Sequence, residues 1–128
     1  MSATSEAVAL ARTAAYGAAA GQGTDIVALD VSSQLVITDV FVVVSASSER
    51  QVASIVDRVE ALLLDEHRAK PVRREGASGG RWVLLDFADI VVHVFHREDR
   101  EFYGLERLWK DCPVVDVADA IAGAPEVE

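Results

Sequence analysis

Residues 37–67, ITDVFVVVSASSERQVASIVDRVEALLLDEH, constrain the fold of this chain more than any other stretch. The opening ITDVFVVVSA is an apolar run dominated by valine, which reads as a strand buried on both faces. Ser48 then begins S-E-R-Q, a capping box in which Gln51 can reach back to the cap while the Ser48 hydroxyl satisfies an orphan N–H. Beyond it Val52, Ile55, Val56, Val59, Leu62 and Leu63 recur at helical spacing, and Arg50, Asp57, Arg58, Glu60 and Asp65 lie mostly off that stripe. A doubly buried strand running straight into an amphipathic helix requires a sheet with helices packed on it.

The flanking sequence fills in that plan. Ser5 to about Ala20 is alanine-rich with strong helix propensity, Ser5 is placed as its N-cap, Gly21 and Gly23 mark its end, and its small residues suggest a peripheral helix. DIVALDV is short and β-branched, a strand at about 26–31. The long helix should stop near Pro71; PVRRE can form a short edge strand, and GASGG is a glycine-rich connector. RWVLLD and DIVVHVF, separated by Phe87 and Ala88, suit an antiparallel hairpin, and after Arg97 the pattern turns helical. The reading is an α/β (α+β) domain, a mixed sheet of about five strands with helices on it, spanning 1–113. Residues 114–128, ending GAPEVE, have little to bury and read as a flexible tail.

A chain of 128 residues suits one core, and its most apolar region is broken by Asp30, Asp39 and Arg50, short of the roughly 20 residues that cross a bilayer. The N-terminus has no basic segment ahead of a long apolar core, and the lone Cys112 cannot make an internal disulfide, so a reducing cytoplasm is expected. A net charge of −9 repels phosphate backbones and attracts basic surfaces, which argues against direct nucleic-acid binding. Lys70 and Lys110 are the only lysines among 12 basic residues, and arginine suits bidentate and stacked contacts.

Catalytic constellations fare poorly. His93, His96 and Cys112 are the natural metal candidates, but residues three apart on a strand point to opposite faces, so no metal site is expected. GASGG lacks the spacing and the lysine of a P-loop, and Ser45, Ser47 and Ser48 lie in no nucleophile elbow. Strand, serines and helix also open nucleotidyltransferase-like folds, which need a Gly-Ser pair and metal-binding carboxylates two apart on a strand. This chain has no Gly-Ser, and its carboxylates two apart are Asp99 with Glu101, beyond the hairpin, and Glu126 with Glu128 in the tail.

The aromatics are unevenly spread. Trp82, Phe87, Phe95, Phe102, Tyr103 and Trp109 fall between Arg81 and Trp109, and only Tyr16 and Phe41 lie elsewhere. Simple alternation puts Trp82, Leu84 and Asp86 on one face of the first hairpin strand and Val91, His93 and Phe95 on one face of the second. Any one such aromatic can be core. The set, with Asp86, Asp89, Asp99 and Glu106 nearby, also has the makings of a protein-binding face, because Trp, Tyr and Arg dominate interface hot spots.

REG at Arg74–Gly76, Trp82 with LLDFADIVVHVF, and REFYGLERLW at Arg100–Trp109 together strongly resemble the ribosomal silencing factor family, RsfS, also called the Iojap family. The likeness extends back through ALDVS, TDVFVV and the Ser-capped helix, over about residues 5–113. It implies a nucleotidyltransferase-like fold without its catalysis, no cofactor, and a cytoplasmic homodimer. The implied partner is the large ribosomal subunit, through its protein conventionally numbered fourteen. There the family blocks joining of the small subunit and represses translation when nutrients run short.

Carried over by position, the partner-binding residues implied are Trp82, Asp86, His93, Arg100, Tyr103, Glu106 and Trp109. Trp82 and Tyr103 would be apolar anchors, and Asp86 and Glu106 would meet Arg or Lys on the partner. The chain departs from the family pattern at Ser45-Ala46-Ser47-Ser48, where a glycine often follows the second strand, and at Val40, where an aromatic is common. A large-subunit assembly factor and an atypical nucleotidyltransferase-like enzyme are the competing readings.

Overall fold

A computed structural model describes residues 2–76, 80–104, 107 and 109–125, with Phe102 and Tyr103 described by their backbone alone. Helix α1 spans Ser5–Ala20, β1 Thr24–Asp30, β2 Val40–Ala46, α2 Glu49–His67, β3 Arg73–Glu75, β4 Trp82–Asp86, β5 Ile90–His96 and α3 Arg97–Tyr103. A short strand β6, Val114–Val115, and a helix α4, Ala118–Ala122, follow. The strands form one six-stranded sheet in the order β3-β4-β5-β2-β1-β6. Only the central pair, β2 with β5, is parallel; the other neighbours run antiparallel.

The valine run earns that central place. All seven residues of β2 and all seven of β5 are buried, because strands paired on both sides and covered on both faces tolerate only apolar or internally satisfied side chains. Ser48 caps α2 by accepting from the Gln51 N–H at 3.0 Å. The reciprocal arm is displaced by one residue: Gln51 Oε1 accepts from the Ser47 N–H at 2.6 Å, and its Nε2 donates to the Gln22 carbonyl at 2.8 Å. One side chain thus ties the start of α2 to the end of α1.

Helix α1 is not peripheral. Ala7, Ala11, Ala14, Ala15 and Ala18 are fully buried at helical spacing, and a Cβ on Gly17 would stand 3.0 Å from Leu62 Cδ1. Small residues here let the helix lie close against α2 and the sheet. Its cap is Thr4, whose Oγ1 accepts from the Ala7 N–H at 3.1 Å, so Ser5 is the first helical residue and not the cap.

The sequence beyond Pro113, expected to bury little, contributes the sixth strand: Ala28 pairs with Val115 and Leu29 with Val114. Val117 is 5% exposed, Ile121 packs on the main core, and the Asp116 carbonyl accepts from Arg12 Nη1 at 3.1 Å. No helix among the described residues is long and apolar enough to cross a membrane. One core lies between the sheet and α1 with α2; a smaller one, of Leu29, Val31, Phe41, Val91 and Cys112, lies on the opposite face.

Candidate partner-binding face

The hairpin β4–β5 sets the second face of the sheet. Its register places Trp82 opposite Phe95, Leu84 opposite His93 and Asp86 opposite Val91, so the alternation read from the sequence becomes one continuous surface. Trp82 stacks on Phe95 with centroids 4.6 Å apart, and Phe41 meets His93 edge-on at 4.9 Å and Trp109 at 5.2 Å. Such offset and edge-on pairs add to the area each ring buries.

His93 sits in the middle, 4% exposed. Trp82 Nε1–H donates to its Nδ1 at 3.4 Å, which assigns the ring proton to Nε2. Nε2 has no hydrogen-bond partner among the described residues. Burial pushes the imidazole pKa down to about 4, because the charged form would lose its hydration. His96, on the opposite side of the strand, caps α3 by accepting the Glu98 N–H on Nδ1 at 3.2 Å. Among the described residues no group of three or more His, Cys, Asp or Glu side chains could hold a metal ion.

The seven residues implied as contacts separate by environment. Trp82 is only half-buried; with Glu75, Gly76 and Leu84 it lines a hollow of about 280 Å³. Asp86 is partly exposed and already employed: Oδ1 accepts the Ala88 N–H at 2.8 Å, closing a hairpin turn in which Ala88 takes φ 71°, and Oδ2 lies 3.8 Å from Arg73. Trp109 is packed against Phe41 on the smaller core, with its Nε1 buried. Arg100 is 8% exposed; its guanidinium donates to the Ser45 hydroxyl at 2.8 Å and to the Asp25 carbonyl, pinning α3 to β1 and β2. His93 and Arg100 therefore hold the fold together, a role the sequence reading did not assign them. The Tyr103 side chain and Glu106 lie outside the described residues.

Charges cluster at the open end of the hairpin. Arg81 Nη2 bonds Asp99 Oδ1 at 2.8 Å and Glu98 Oε1 at 3.2 Å, joining the start of β4 to α3. Glu75 borders the Trp82 hollow, a neighbour that the carried-over positions missed although its place opposite Leu84 follows from pairing the edge strand.

The fold is that of a small α/β domain, with a half-buried indole on a stacked aromatic base, bordered by carboxylates, on one face of its sheet. The comparisons specify which kind. A family model described as ribosomal silencing factor during starvation, RsfS, matches residues 4–127, and the chain belongs to that family. It is 39% identical to the ribosomal silencing factor RsfS of Bacillus subtilis over 73% of this chain and 78% of that protein. A mouse protein named mitochondrial assembly of ribosomal large subunit protein 1 is 33% identical over 66% of this chain and 38% of its own length. Among solved structures, a Chromobacterium violaceum protein superposes with TM-score 0.73 at 33% identity, covering 86% of this chain and 88% of that one. A Bacillus halodurans protein gives 0.71 at 34%, covering 88% and 99%. The family description is regulatory, and the chain is a ribosomal silencing factor by family rather than an enzyme.

Proposed function

We propose that this protein acts in the cytoplasm as a homodimer, binds the large ribosomal subunit through its protein numbered fourteen, and keeps the small subunit from joining when nutrients are limiting. The observation that carries the reading is the partly exposed Trp82 on its Phe95 base, with Glu75 and Asp86 on the same face. An indole anchor with carboxylates around it suits a basic protein surface, and a net charge of −9 favours such a surface over bare RNA.

The test is sedimentation of the purified protein with separated ribosomal subunits, followed by addition of the small subunit. Comigration with the large subunit and loss of the joined-ribosome peak is the expected result; failure to comigrate overturns the reading. The name of the mouse relative supports a second reading, assistance in large-subunit assembly. Under that reading the protein cosediments with immature large particles and leaves joining of mature subunits unchanged.

A further inference from the structure

We propose that Val36 and Ile37, at the tip of the β1–β2 connection, are a second apolar anchor that enters a hollow rimmed by Lys or Arg on the same ribosomal protein that Trp82 meets. This rests on the large-subunit reading above and extends its contact surface to the far end of the sheet.

Val36 is 101% exposed and Ile37 82%, the highest values among the large exposed hydrophobics of the described residues. Apolar side chains scattered singly over a surface are ordinary, whereas these two are consecutive and pack on neither core. The loop that carries them is not slack. The Val31 N–H donates to the Asp39 carbonyl at 2.9 Å and closes its ends, while Gln34 and Leu35 both donate to the Val31 carbonyl, at 3.0 and 2.9 Å. Leu35 packs on the smaller core, and the buried Thr38 donates its hydroxyl to the Ala88 carbonyl at 3.1 Å. Both shoulders of the tip are fixed, and the two aliphatics between them are held out in solvent. An anchor fixed in advance loses little freedom on binding.

The tip continues the Trp82 face. Leu35 joins the same small core as Leu84, which lies between Trp82 and Asp86 on that face. Asp39 donates its N–H to the Asp89 carbonyl at 2.9 Å, so the tip stands beside the Asp86 end of β4. Trp82 and Asp86 are about 13 Å apart along a strand, and an ordinary interface of about 800 Å² per partner is about 30 Å across. One footprint can hold both anchors.

The charges define the partner. Asp39 follows the tip, and Asp86 and Asp89 lie in the hairpin turn against which it rests. Asp39 accepts the Thr4 N–H at 2.9 Å and Asp86 lies 3.8 Å from Arg73, but the exposed Asp89 carboxylate has no partner among the described residues. Aliphatics beside carboxylates complement an apolar hollow with a basic rim, and the same carboxylates repel a phosphate backbone or an anionic membrane.

The test is sedimentation of the full chain with purified large subunits over a range of concentrations, comparing wild type, Val36→Ser/Ile37→Ser, Val36→Leu/Ile37→Leu and Asp89→Lys. The serine pair should bind about tenfold more weakly or worse, because two aliphatics leave the contact. The leucine pair keeps the apolar surface and should stay within about threefold of wild type. Asp89→Lys should weaken binding by about threefold or more, with a larger loss at low salt than at high salt. None of these side chains packs on either core, so circular dichroism and the urea midpoint should match wild type. Wild-type affinity in the serine pair overturns the inference, as does a leucine pair no better than the serine pair. A serine pair that loses self-association in sedimentation equilibrium together with ribosome binding overturns it too, since the tip then meets a second copy. An unchanged Asp89→Lys overturns the basic rim. A wild type that fails to bind the large subunit overturns the silencing reading itself, whereas a wild type that binds, with Trp82→Ala weakened and the serine pair intact, overturns the second anchor alone.

Discussion

Trp82 and His93 are diagonal neighbours across one hairpin and differ in exposure, and the difference divides their roles. Replacing Trp82 with Ala removes a ring that is already partly in solvent, so binding to the large subunit should weaken by more than about 1 kcal/mol while the circular dichroism spectrum stays native. An unfolded variant would show that the ring serves the core instead. His93 predicts a pH effect. Its folded pKa, about 4, lies below the usual 6.5, so as pH falls the unfolded chain takes up the proton first. The stabilisation is complete above about pH 6.5 and is lost on acidification toward pH 4, on the order of 3 kcal/mol in all. Urea titrations between pH 7 and 5 should show that slope, and His93→Phe should flatten it. Strand alternation made the shared face of Trp82, Asp86 and His93 legible in the sequence. The inward turn of Arg100 was not legible, because one arginine in a charged run looks like its solvated neighbours until α3 is docked on the bulged end of β1.

Among the elements, α2 is the one whose whole design is readable: cap, apolar stripe and charged flank agree. Ser48→Ala should cost about 1 kcal/mol, seen as a lower urea midpoint with unchanged slope. The hairpin was equally clear, since β-branched runs on either side of Phe87 and Ala88 leave few alternatives. Helix α1 was placed correctly but valued wrongly. Its alanines look peripheral from composition, yet their spacing matches the close approach that only small residues permit, and Thr4 rather than Ser5 reaches the orphan N–H. Strand β6 had no local signal, because two residues after a proline become a strand only when β1 offers an edge to pair with.

For the molecule as a whole, the stretch 114–125 is an integral part: β6 extends the sheet and Val117 is buried. Truncation after Pro113 should therefore lower stability by about 2 kcal/mol or more, read by thermal or urea unfolding; an unchanged midpoint would show that these contacts contribute nothing. The mixed α/β character was legible from periodicity, whereas the strand order was not, since it depends on which distant runs find each other. The parallel β2–β5 pairing, from Val40 with Ile90 to Ala46 with His96, has a kinetic corollary. The antiparallel pairs on either side, β1 with β2 and β4 with β5, join neighbours in the chain and can close early. The centre closes only after the intervening helix and edge strand have been looped out. Until then two valine-rich strands lie unzipped, and the slow step of folding is also the interval in which this chain is most exposed to aggregation.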